Sequence, residues 1–145
     1  MIVRHWWTLL CLLALVANVA FLSPVHAEMR ASPSTVNQQL AQELADHRAY
    51  AAGDPGNYGY AKFIHQVRVT GHRRIMVWVS RRFCRLPAGD KTSVMNQVQA
   101  LARMVLVNNH WIDKKNSARG LTVTVRCRGQ VVGYSRPHNS YCYKW

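Results

Sequence analysis

DKTSVMNQVQALARMVLVNN, residues 90–109, places Val94, Val98, Leu101 and Val105 at spacings of four, three and four. That period predicts an amphipathic helix with one apolar stripe. Met95, Ala102 and Leu106 widen the stripe, and Met95 and Met104 read as packing residues, because methionine fills irregular core gaps. Asp90 reads as the N-cap, Thr92 and Ser93 suit a first turn, and Asn108-Asn109 reads as the end. A stripe this long needs an apolar surface to cover it.

The flanking segments supply that surface. From Phe63 to Thr70 the chain alternates, with Phe63, His65, Val67 and Val69 on one side and Ile64, Gln66, Arg68 and Thr70 on the other. Gly71-His72 reads as a type II′ turn into a second strand, in which Ile75, Val77 and Val79 oppose Met76 and Trp78. Beyond the helix, Leu121, Val123 and Val125 alternate with Thr122, Thr124 and Arg126, and the pattern resumes at Val131–Tyr134 after Arg128-Gly129. Tyr141, Tyr143 and Trp145 alternate as in an edge strand. The expected fold is therefore α+β: a four-stranded, mostly antiparallel sheet in the order ββαββ, with one main helix packed on it. Upstream, Ser32-Pro33 predicts a capped start for an N-terminal amphipathic helix carrying Val36, Leu40 and Leu44. Gly53-Asp54-Pro55-Gly56 stops it.

Three segments follow: a signal peptide over 1–27, the N-terminal helix and a linker over 28–60, and a basic α+β domain over 61–145. Trp6–Leu22 is interrupted only by Thr8 and Asn18, follows Arg4, and leads through Ser23-Pro24 to Val25-His26-Ala27, a small-x-small cleavage pattern. The alternative is an N-terminal membrane anchor; either way the remainder is expected outside the cytoplasm, secreted or cell-surface associated.

Charge is uneven. The chain carries 19 Lys+Arg against 6 Asp+Glu. Residues 28–60 have a net charge of −2 and residues 61–145 a net charge of +14. Thirteen of the eighteen basic residues after position 27 are Arg, whose planar guanidinium fork matches phosphate and carboxylate better than an ammonium does. The expected anion-binding residues are Arg68, Arg73, Arg74, Arg81, Arg82, Arg85, Arg126, Arg128 and Arg136. Tyr134, Tyr141, Tyr143 and Trp145 interleave with basic residues, as stacking platforms for single strands do.

Catalytic motifs are missing: the chain has no GxSxG, HExxH, P-loop or paired-carboxylate pattern. Cys127, Cys142 and His138 are zinc-ligand types without CxxC or HxxxH spacing. No metal, cofactor or catalytic residue is expected. Cys84, Cys127 and Cys142 are disulfide candidates, with three single bridges possible and one thiol left over.

Phe83, Asn96-Gln97-Val98, Leu121-Thr122-Val123, Gly129-x-x-Val132-Gly133-x-Ser135 and the closing Lys144-Trp145 resemble small secreted proteins of lactobacilli and related Gram-positive bacteria. The resemblance spans about residues 63–145. It implies an exported protein and brings no functional residues with it; the cysteines and the Arg content depart from such proteins. The expected function is binding of a polyanion without catalysis, the partner being a cell-wall polymer, an anionic membrane surface or extracellular nucleic acid. The rival readings are a secreted basic nuclease, using His65 or His72 with His110, and a protein–protein module such as an inhibitor or adhesin.

Overall fold

The computed structural model describes residues 29–145, so the leader expected over 1–27 lies outside the described residues. Ser32 caps α1 (Pro33–Tyr50) by accepting a hydrogen bond from the Thr35 backbone N–H, and Pro33 at the first helical position lacks the donor that would go unsatisfied there. A helical turn, α2 (Pro55–Tyr58), and a 3-10 turn (Gly59–Phe63) lead into strand β1 (Ile64–Gly71). Strand β2 (Arg74–Val79), the single turn α3 (Arg81–Cys84) and the long helix α4 (Ala88–Asn108) follow. The chain closes with α5 (Lys114–Ala118), β3 (Thr122–Cys127), β4 (Gln130–Arg136) and β5 (Asn139–Lys144). No helix among the described residues is long and apolar enough to cross a membrane.

The α+β class stands, but the four-stranded, mostly antiparallel sheet does not. The sheet has five strands in the order β1-β2-β3-β4-β5 and is mixed. β2 and β3 pair in parallel, Ile75 opposite Val123 and Val77 opposite Val125. The reason is α4: a 21-residue helix runs about 31 Å, long enough to carry the chain back to the end of the sheet where β2 began. The fifth strand is the aromatic tail, which folds back at Pro137-His138 and pairs with β4, Ser135 opposite Tyr143.

Local details also shift. α4 begins at Ala88 with no side-chain cap, so Asp90 sits inside the first turn, where its carboxylate favours the positive end of the helix dipole. Gly71 pairs with Arg74 across His72-Arg73 and has no positive φ, which rules out the expected type II′ turn. Arg128 and Gly129 have φ of 50° and 82°, as the type I′ turn of the β3–β4 hairpin requires. A register shift between Ile64 and Gln66 changes the phase of β1, so Ile64 is buried and His65 faces solvent.

One side of the sheet is covered. Val94, Met95, Val98, Leu101, Ala102, Val105 and Leu106 of α4 join Ile75, Val77, Val123 and Val125 in a single core. Val36, Leu40 and Leu44 of α1, with Tyr60 and Ala61, belong to the same core. α1 and the 3-10 turn thus help to bury β1 and α4. Tyr143 and Trp145 stack with ring centroids 5.1 Å apart, and Trp145 meets Phe83 edge-on at 5.6 Å.

The Trp145 ring lies over Gly133, where a Cβ would fall 2.6 Å from Cζ3 and 3.2 Å from the Lys144 carbonyl oxygen. Gly133→Ala therefore expels the Trp145 ring or bends β5. The expected cost is about 1–3 kcal/mol. Urea denaturation measures it, and a red-shifted tryptophan emission in the folded state reports the displaced ring.

Candidate functional site

Apart from the register shifts, side chains alternate along the strands, so covering one side of the sheet leaves the other as an open surface. Strand pairing places the residues of that surface in rows. The middle row runs Arg68, Met76, Thr124, Tyr134, Lys144 across all five strands, a span of about 19 Å at ordinary strand spacing. On one side of it lie Gln66, Trp78, Arg126 and Val131. On the other, Arg74 pairs with Thr122, and two residues beyond Tyr134 comes Arg136. Five cations therefore share this face: Arg68, Arg74, Arg126, Arg136 and Lys144.

Among the described residues, none of the five strands contains an Asp or Glu. The side-chain carboxylates of the described residues sit elsewhere: Glu43 and Asp46 on α1, Asp90 on α4, and Asp54 and Asp113 as caps of α2 and α5. Among the described residues, the guanidinium groups of Arg68, Arg74 and Arg136 have no internal partner. Arg126 is half-buried beside Trp78, its Nε enclosed without a hydrogen-bond partner. Apolar surface is interspersed: Val131 and Tyr134 are 54% and 43% exposed, and Met76 and Trp78 are half-buried.

The nine arginines named from the sequence fall into three groups. Arg68, Arg74, Arg126 and Arg136 lie together on the open face. Arg81, Arg82 and Arg85 are exposed around the turn α3, past the end of β2, and Arg128 occupies the β3–β4 turn at that same end. Arg73 is spent internally: its Nε and a terminal nitrogen donate to the Gly120 carbonyl at 3.3 and 2.6 Å, fixing the entry to β3. Lys144 is an addition. The alternation of Tyr143 with Trp145 already put Lys144 on the opposite side of the tail; its place beside Tyr134 follows only from the β4–β5 pairing.

Past the β5 edge the face continues into an open cleft of about 930 Å³, lined by Thr92, Tyr134, Arg136, His138, Cys142 and Lys144 among others. Of the tail aromatics, Tyr134 alone stands on the open face. Tyr143 and Trp145 pack against the core, and the Tyr141 hydroxyl accepts from Arg103 at 2.7 Å.

The nuclease reading pairs His65 or His72 with His110. His65 and His72 mark opposite ends of β1, about 23 Å of extended chain apart, and His110 follows α4. Cys127 is buried on the core side of β3, whereas Cys142 is exposed on the open side of β5, so the possible zinc trio with His138 is not assembled. No family model, curated protein or solved structure matches the chain.

Proposed function

We propose that the protein is an exported, non-catalytic binder of polyanions and that the open face of its sheet is the contact surface. The observation that carries this reading is the set of five cations spread over five strands with no carboxylate among them. That arrangement supports an extended ligand with repeated negative charge, such as a cell-wall phosphate polymer, an anionic membrane surface or extracellular nucleic acid. A single small anion would meet only one or two of the cations. Excess positive charge on one face also repels itself, and a bound polyanion relieves that repulsion.

Fluorescence anisotropy of the full-length protein with labelled polyphosphate, single-stranded oligonucleotide or teichoic acid tests the reading. Five phosphate contacts give a slope of log K against log salt of about −3.5, at roughly 0.7 for each contact on a flexible strand. Neutral dextran gives no binding. Affinity that ignores salt between 50 and 500 mM, or equal binding of dextran, overturns the proposal.

A further inference from the structure

Three cysteines follow the leader, and the structure separates them. Cys142 lies on the open side of β5, across the sheet from the core. Cys84 and Cys127 both lie on the core side, at the same end. The parallel register that sets Trp78 opposite Arg126 brings Val79 alongside Cys127, and Ser80 follows directly. α3 then turns back, so that the Cys84 thiol donates to the Ser80 carbonyl at 3.7 Å. Cys84 packs against the core cluster to which Cys127 belongs. Burial, and after it the neighbouring Cys127 thiol, push the Cys84 thiol up to about 11.

We infer that Cys84 and Cys127 form the one intramolecular disulfide of the domain and that Cys142 is the odd thiol. The bridge ties α3, with Arg81, Arg82 and Arg85, to the end of β3 that carries Arg126 and Arg128. The oxidant is a small-molecule or protein disulfide, such as glutathione disulfide. Cys84 is the more exposed of the pair. Its thiolate attacks the disulfide, releases one glutathione and holds the other as a mixed disulfide. Cys127 then displaces the second glutathione. Two protein thiols give up two electrons and two protons, and one glutathione disulfide becomes two glutathione thiols.

The test is equilibration of the full-length protein with glutathione disulfide, then alkylation in urea and peptide mapping. Expected are an alkylated Cys142 and a single disulfide-linked species joining the tryptic products Phe83–Arg85 and Cys127–Arg128. Cys142→Ser leaves that species intact; Cys84→Ser abolishes it. Reduction lowers the Tm by roughly 10 °C, because a long loop is freed in the unfolded chain. A bridge that includes Cys142, full alkylation of both Cys84 and Cys127, or a mixed disulfide that never closes overturns the inference.

Discussion

Replacing Arg68, Arg74, Arg126 and Arg136 together by serine lowers the affinity for a phosphate polymer by about 100- to 1,000-fold near 0.1 M salt. The magnitude follows from counterion release: four lost contacts reduce the salt slope by about 3, and the two affinities converge as salt approaches 1 M. The effect depends on position, beyond net charge. Lys114, Lys115 and Arg119 are exposed on and just after α5, which meets the core side of the sheet at Tyr141 and is not part of its open face. Their triple serine variant removes nearly as much charge and keeps affinity within about tenfold of the parent, because beyond a Debye length of about 8 Å a charge is largely screened. Equal losses in the two variants would mean that the whole molecule, and not the face, attracts the ligand. Lys144→Ser is a smaller step in the same series and lowers the slope by about 0.7.

Gln99→Leu destabilises the fold more than any surface change. Gln99 is fully buried, and its amide joins three elements. Nε2 donates to the Ser140 carbonyl at 2.6 Å and to the Tyr143 hydroxyl at 2.7 Å, and Oε1 accepts from the Leu121 backbone N–H at 2.9 Å. Leucine fills similar space and leaves a donor and two acceptors without partners in a largely buried site. Each orphaned group costs about 1–3 kcal/mol, so a total of about 3–5 kcal/mol is expected after relaxation. Domains of this size have only about 5–15 kcal/mol to lose. Urea denaturation measures the drop; a cost below about 1 kcal/mol would show that water replaces the amide.

The same amide governs the behaviour at high pH. Burial pushes the Tyr143 hydroxyl up to about 12, and the hydrogen bond from Gln99 opposes that rise. An unfolded tyrosine ionises near 10. Between about pH 10 and 12 the unfolded chain has released this proton and the folded chain still holds it. Tyr143 therefore contributes stability that is complete below pH 10 and is lost as pH rises through that window. In Gln99→Leu the opposing hydrogen bond is gone, so Tyr143 titrates still higher, an effect read from tyrosinate absorbance.

Features set by neighbouring residues were legible in the sequence. Ser32-Pro33 marks the start of α1, the Val94–Val105 spacing reveals α4, and alternation puts Arg68 and Arg126 opposite the apolar series. Gln99 was not legible: it lies four residues after Met95 and three before Ala102 on the buried side of α4, but a polar residue there reads as solvent-facing until its partners are known. The His65 phase was not legible, because the shift that turns it outward depends on how β1 pairs with β2.

Unaided, the sequence determined the periods: where the two long helices and the strands run, which side of most of them is apolar, and that the charge sits in the last 85 residues. Periodicity is a property of consecutive residues, so it survives without knowledge of partners. Tertiary structure alone decided the parallel β2–β3 pair, the pairing of the aromatic tail with β4, the diversion of Arg73 to the Gly120 carbonyl 47 residues away, the meeting of Cys84 with Cys127, and the arrival of Lys144 beside Tyr134. Each depends on contacts between segments far apart in the chain, and the energy of such a contact is set by what packing brings together, which local pattern leaves open.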